Sequence, residues 1–363
     1  MADAGIEVQP SARRGRAQGL VGVGLLLAVL VLGLLWAKWL PYAQKTHLLT
    51  RSRTWSGSAI FSSAGDAGAT PTLQGAWSFW TDYFTAVWKA AVVALVVAAM
   101  LESLVPRRWL LKALARRTWL GQGLAAGALA LPSMMCTCCT APVAVGLRRR
   151  GAPLGATIAY WLANPLLNPA VIVFLALTLP ARYAAVRVVI GIAVVVGGAA
   201  LGNRIRTGPD RTAARLVGSL DDTAEEVSWS RLPVRFVAAL GRYLLILVPE
   251  YAVVVLLTGA LSGWLSDFAG LDGAAGPVSL LVVGVIGALL VVPTGGEIPV
   301  IAGLLAAGAS AGATGVLLLT LPAISLPSLV MVGRTLSWRA VGALAGLVVA
   351  GGVVAGGLVH WVS

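Results

Sequence analysis

Two stretches decide the fold: Thr137–Pro165, TCCTAPVAVGLRRRGAPLGATIAYWLANP, and Thr294–Pro322, TGGEIPVIAGLLAAGASAGATGVLLLTLP. A shift of 157 residues lays the first on the second without a gap. Twelve of the 29 positions are identical, where composition alone predicts roughly three. The shared positions include Thr137/Thr294, Pro142/Pro299, Gly146/Gly303, Gly151/Gly308, Thr157/Thr314 and Pro165/Pro322. Each stretch is apolar, yet proline and glycine interrupt it where a helix would otherwise run on. The chain therefore reads as two copies of one unit, each with a broken apolar segment.

The surrounding composition says what solvent the two copies face. Of 363 residues, 58% are hydrophobic and 11% charged, with a mean hydropathy of +0.87. A soluble domain carries about 25% charged residues, so lipid must be the solvent for most of this chain. The formal charge of +13 does not call for a nucleic-acid partner. Lys and Arg gather in short loops between apolar runs, where they encode topology. The partners expected are the bilayer and a small-molecule or metalloid solute, with self-association left open. The cysteines are Cys136, Cys138 and Cys139, and the histidines are His47 and His360. Such clustering excludes a disulfide framework and argues against a Cys/His zinc site. No cofactor, nucleotide motif or catalytic residue is expected.

Along the chain, Gly19–Leu40 is too long for a signal-peptide core and reads as a retained membrane anchor. A Ser/Gly-rich loop follows at about Thr50–Gln74. Ordinary spans are expected near Phe79–Val105, Leu154–Leu179, Tyr183–Leu201, Val234–Trp264, Ala311–Val332 and Ala340–Val362. The broken segments are Leu120–Leu147 and Val278–Ala307. The expected divisions are a tail, extra helix and loop over 1–75, a first repeat over 76–202, a cytoplasmic linker over 203–232 and a second repeat over 233–363.

Charge chooses between two topologies. If each broken segment crosses, giving nine spans, the basic runs Arg107–Arg117 and Arg148–Arg150 fall on opposite sides. If each enters and returns as a re-entrant hairpin, these runs share the cytoplasmic side with Arg13, Arg14, Arg16, Arg204–Arg215, Arg231, Arg235, Arg334 and Arg339. Asp267 and Asp272 then face out. Lys38, Lys45, Arg51 and Arg53 are misplaced in this scheme. The hairpin scheme is favoured. It gives an all-α polytopic membrane protein with three spans and one hairpin per half. Three is odd, so the halves are inverted, with an extra N-terminal helix in front. Broken helices in inverted repeats surround a midplane site in transporters, because irregular backbone survives at membrane depth only beside protein or a water-filled cavity.

The candidate site residues follow from that scheme. Cys136, Thr137, Cys138, Cys139 and Thr140 stand at the first break, where soft thiolates suit thiophilic solutes or a transported metalloid; the alternative is cysteine as a small buried hydrophobe. Thr294 and Glu297 stand at the second. Glu297 is an ionisable group at membrane depth or a helix cap. Glu250 is a proton relay or a partner for Lys89 or Arg242, and Glu102 pairs near its basic loop. Asn164 and Asn168, four residues apart on one helical face, line the path or bond between helices. Pro142, Pro165, Pro169, Pro299, Pro322 and Pro327 mark breaks or hinges. Gly151, Gly155, Gly308 and Gly312 read as small packing positions.

At these motifs the sequence resembles the predicted-permease family that includes the ArsP and YraQ proteins. The stretches that carry the likeness are CTCCTAPVAVGLRRRGAPLGATIAYWLANPLLNP and GGEIPVIAGLLAAGASAGATGVLLLTLPAISLP. The likeness runs from about Phe79 to Val332, and Cys139 departs from it where glycine is expected. It implies a permease rather than an enzyme, with Cys136, Thr137, Cys138, Pro142, Pro165, Pro299 and Pro322 as matching positions. Some relatives export trivalent organoarsenicals. The expected function is passage of a soft solute between the two breaks. A thiosulfate-like importer and a membrane thiol–disulfide carrier are the alternatives.

Overall fold

A computed structural model describes residues 10–55, 70–114, 116, 118–205, 231–265 and 276–363. Most of the expected linker, the middle of the Ser/Gly-rich loop, Arg117, Asp267 and Asp272 lie outside the described residues. All regular structure among the described residues is helical.

The N-terminal helix α1 (Pro10–Leu34) passes through a π-helical turn (Leu35–Trp39) into α2 (Leu40–Ser52). The helix thus runs twelve residues past Leu40, where the apolar run ends, with Pro41 accommodated at the start of α2, until Arg53 takes a left-handed conformation. The first repeat comprises α3 (Leu73–Leu104), α4 (Arg107–Leu114), α5 (Trp119–Ala130), α6 (Thr137–Arg149), α7 (Leu154–Leu166), α8 (Pro169–Thr178) and α9 (Ala181–Arg204). The short amphipathic α4 occupies what reads in sequence as a basic loop. The second repeat comprises α10 (Leu232–Leu265), α11 (Pro277–Leu289), α12 (Glu297–Ala306), α13 (Ala311–Ala323), α14 (Leu326–Leu336) and α15 (Trp338–Trp361). Local chemistry sets several starts: Thr72, Thr118, Ser310 and Ser337 each accept a backbone N–H from the first turn of their helix.

The shift of 157 that aligns the sequences also maps α7 onto α13 and α9 onto α15 residue for residue. The two copies are inverted. Phe79 meets Gly259 at one end of the α3–α10 contact, and Glu102 meets Arg242 at the other, so these equivalent helices run antiparallel. Gly351 packs on Val194, its own counterpart under the shift, as residues on a two-fold axis must.

Both broken segments are hairpins. Gly123 packs on Ala199 and Gly127 on Ala163 and Val195, while Gly155 also meets Ala199. Hence α5 and α7 lie parallel in the same half of the membrane. Trp161 donates to the Thr137 carbonyl at 3.2 Å, which brings α6 back beside α7. Gly312 meets Leu280 and Gly287 meets Thr320, the same parallel arrangement in the second copy. At twelve or thirteen residues, α5, α6 and α11 reach about 18–20 Å, short of a core about 30 Å thick.

The two spans that follow the hairpins are themselves broken, which their continuous hydropathy conceals. In the first repeat α7 stops and α8 starts again around Leu167–Asn168; in the second, α13 and α14 bend by 51°. Pro169 and Pro327 open the second half of each. Asn164 and Asn168 therefore sit on two different helices and share no helical face. Among the described residues, six helices and this bent pair are long and apolar enough to cross.

Two of the four small-residue glycines pack and two turn. Gly151 and Gly308 both have φ +86°. Gly151 N–H donates to Arg148 O and Ala152 N–H to Leu147 O, a pattern repeated by Gly308 and Ala309 toward Leu305 and Leu304. These are paired Schellman caps closing α6 and α12, in a conformation that glycine takes without the cost a Cβ brings. Gly308→Ala is expected to lower stability by about 1–2 kcal/mol, since a Cβ there meets nothing within 4 Å. Gly151→Ala should cost about the same, because the Arg107 guanidinium 2.5 Å from its Cβ is the far end of a flexible side chain and can move aside. Thermal unfolding in detergent compares them; a clearly larger loss at Gly151 would show that the guanidinium is fixed in place.

Candidate functional site

The hairpin tips, Leu131–Cys136 and Leu290–Gly296, come together through the N-terminal helix. Trp39 Nε1 donates to Pro132 O at 2.9 Å, and Tyr42 Oη to Met134 O at 3.5 Å. Lys38 Nζ, in the π turn, donates to Thr294 Oγ1 at 3.1 Å on the other tip. Tyr42 and Trp55 pack edge-on against Phe174, and Trp55 also covers Gly295.

The cysteines divide into a pair and a single. Cys136 is the last residue before α6 and Cys139 lies three positions on, so both sulfurs fall on one side of the first turn. Their Sγ atoms are 3.0 Å apart and unbonded. Cys138, a third of a turn away, instead lies 3.2 Å from Ser325 Oγ and receives Tyr83 Oη at 3.7 Å. Among the described residues no three His, Cys, Asp or Glu side chains form a metal-holding group. The arrangement is a pair of thiols with the third set apart. Thr137 Oγ1 reaches Ser325 at 3.2 Å, linking the first hairpin to the α13–α14 break. Thr140 instead bonds the Cys136 carbonyl within its own helix at 2.8 Å. An apolar cavity opens beside the thiols, lined by Cys138, Cys139, Pro142, Leu247, Tyr251 and Met331. Its enclosed volume is about 40 Å³, well below the roughly 300–1,000 Å³ of a ligand site, so a solute enters only if the walls move apart.

Glu297 opens α12 and is 1% exposed. Its Oε1 lies 3.0 Å from the guanidinium of Arg187, which is fully buried. Neither carboxylate oxygen is in hydrogen-bonding geometry with a donor, so the contact is a bare charge pair at membrane depth. Arg187 also donates to Leu166 O (2.9 Å), Leu318 O (2.9 Å) and Pro165 O (2.7 Å). Pro169 and Pro322 have no N–H to offer the carbonyls four residues before them, Pro165 and Leu318. Arg187 thus satisfies acceptors freed by breaks in both repeats.

The remaining candidates serve the frame. Asn164 Oδ1 accepts from Ser133 Oγ and from Met135 N at 3.3 Å, and its Nδ2 donates to Tyr160 O. Asn168 caps α8 through Ala170 and Val171, with its Nδ2 buried and unpartnered. Glu250 pairs with Arg334 at 3.3 Å, not with Lys89 or Arg242. Arg242 belongs to Glu102, which also accepts from Tyr243 at 2.7 Å. Arg242 lies eight residues, more than two turns, before Glu250 on α10, and the exposed Arg334 side chain reaches Glu250 instead. Pro299 lies in the first turn of α12, where a missing N–H costs nothing. Pro142, Pro165 and Pro322 lie inside α6, α7 and α13.

Sequence reasoning passed over Lys38, Tyr42, Tyr83, Arg187, Tyr251 and Ser325. Arg187 carried a readable signal: a charge inside an apolar span, the same feature that singles out Glu297.

The model of a family described as predicted permease, ArsP_1, matches residues 72–361. The UPF0718 protein YraQ of Escherichia coli (strain K12) is 36% identical over 324 residues, covering 87% of this chain and 88% of that protein. No solved structure matches the chain. With the family model spanning both repeats and both hairpin tips, the chain belongs to the ArsP_1 family of predicted permeases.

Proposed function

We propose that this multi-pass permease exports a small soft solute, with a monosubstituted trivalent arsenical the leading substrate. We place it in the cytoplasmic membrane with its N-terminus in the cytoplasm, as the basic loops require. The observation that carries the reading is the Cys136–Cys139 pair, 3.0 Å apart at a hairpin tip. A dihydroxy organoarsenical exchanges both hydroxyls for thiols. Two As–O bonds break, two As–S bonds form, and two waters leave with the thiol protons. Inorganic arsenite would take a third thiol, and Cys138 is engaged with Ser325 and Tyr83. Alternating exposure of the site follows from two inverted hairpins meeting at the midplane.

Accumulation of phenylarsine oxide in inverted vesicles tests this. Cys136→Ser or Cys139→Ser should lose about 100-fold in apparent affinity, the effective-concentration advantage of the second thiol. Cys138→Ser should lose far less. Unchanged transport in the Cys136→Ser/Cys139→Ser variant sinks the thiol role.

The same separation supports a second reading, a thiol–disulfide carrier. Against it, the second tip presents Gly295 and Gly296 where a relay wants thiols. Trapping of a mixed disulfide with a redox partner would favour it.

A further inference from the structure

Lys38 lies outside the residues that match the family model, yet its side chain ends between the two hairpin tips. It is 5% exposed. Its ammonium donates to Tyr42 Oη at 3.0 Å and Thr294 Oγ1 at 3.1 Å. Among the described residues no carboxylate lies within ion-pair distance of it. Glu297, the acidic residue of the second tip, is held by Arg187. A charge buried at membrane depth is costly unless it is paired. Hydroxyl oxygens ease that cost without neutralising it.

The chain is also built to put the charge there. The helix is rewound into a π turn over Leu35–Trp39, a rare form frequent at functional sites. Trp39 and Tyr42 then pin that turn to the first tip. Two further sources of positive potential converge on the same place. Helices α6 and α12 both begin at the tips, and a helix start carries unpaired N–H groups and a partial positive charge. Cys136 sits next to this charge, in electrostatic contact with Lys38 and reached by Thr294.

We propose that Lys38, with Thr294 and Tyr42, forms an anion subsite beside the Cys136–Cys139 pair, and that the transported solute carries a carboxylate or oxyanion there. This rests on reading the thiol pair as the translocation site, and it adds the sign of the solute's charge. The solute then has a soft centre for the thiols and a compact anionic group for Lys38. The N-terminal helix becomes a working part of the permease rather than an added anchor.

Two probes with the same arsenic chemistry separate the claims: phenylarsine oxide, which is neutral, and its para-carboxylate, p-arsenosobenzoate. The full chain is reconstituted in proteoliposomes as wild type, Lys38→Gln and Lys38→Arg. Calorimetric titration of each purified protein with thiosulfate runs in parallel. Lys38→Gln should raise the KM for the carboxylate by roughly 30-fold or more and leave the neutral probe within about twofold, with Lys38→Arg keeping most of the preference. Equal effects on both probes, or none, overturn the subsite. If the wild type moves neither arsenical, the arsenical reading fails and the titration decides. Saturable thiosulfate binding that Lys38→Gln abolishes supports the subsite, and absence of binding by the wild type at millimolar concentration overturns it. Should Lys38→Gln not fold, Thr294→Val replaces it with the same expectations at smaller size.

Discussion

Arg187→Leu is expected to lower stability by about 3–5 kcal/mol, the cost of breaking a buried pair from one side. The leucine itself fits: Leu344 holds the equivalent place in the second repeat. The loss is electrostatic. Removing the guanidinium leaves Glu297 as a lone carboxylate, 1% exposed. It also strips donors from the carbonyls of Pro165, Leu166 and Leu318. Two of these lack a helical partner because of Pro169 and Pro322, and the third because Ala170 N–H has turned to Asn168. The two contributions separate in a second variant. Arg187→Leu/Glu297→Gln removes the stranded charge but not the stranded carbonyls. It should recover part of the loss and remain below wild type, at about 1–3 kcal/mol per buried unmet acceptor before relaxation. Thermal unfolding in detergent, followed by circular dichroism, measures both. If the single variant melts with the wild type, Arg187 does not hold the breaks together.

That clamp marks the border of what sequence conveys here. Crossings, hairpins and inversion were legible because lipid imposes them. An apolar run must cross or return, basic loops choose the side, and a shift of 157 residues exposes the duplication. Helix ends were legible where the apolar run itself stops, as before Ala311, whereas Gly308 reads as a packing position and its turn shows only in the fold. The breaks after α7 and α13 were legible only through their prolines: hydropathy runs on across both spans, while Pro165, Pro169, Pro322 and Pro327 mark breaks or hinges. The thiol pair follows from Cys136 and Cys139 being three apart at a helix start. Its surroundings do not. Arg187 meets Leu318 across 131 positions, and Lys38 meets Thr294 across 256. No local pattern encodes such a meeting. Lys38 stands at the end of an apolar run and so reads as an anchor outside the membrane.

Asn164→Leu is expected to destabilise the first hairpin and to abolish thiol-dependent transport through that loss. Its two amide atoms serve the frame. Oδ1 accepts from Ser133 and Met135 at the tip, and Nδ2 donates to Tyr160 O within α7. Met135 precedes Cys136 directly, so this amide sets the height at which the thiols sit. Leucine leaves the Met135 N–H buried without its acceptor, at about 1–3 kcal/mol, while the Ser133 hydroxyl keeps Ala130 O at 2.8 Å but no longer ties the tip to α7. The second repeat has Leu321 at the equivalent position, and its tip is held by other means, among them the Gly296 N–H bond to Pro293 O at 2.8 Å. A residue that merely lined the path would behave differently. Its leucine variant would keep the wild-type melting temperature and change only substrate preference. Asn164→Asp keeps the acceptor for both donors and should hold the tip better than leucine does. Melting temperature and maleimide labelling of Cys136 and Cys139, measured on the same three proteins, decide between a staple and a lining residue. Leucine raising the labelling rate and lowering the melting temperature together is the result expected of a staple. A wild-type melting temperature with altered transport would return Asn164 to the path.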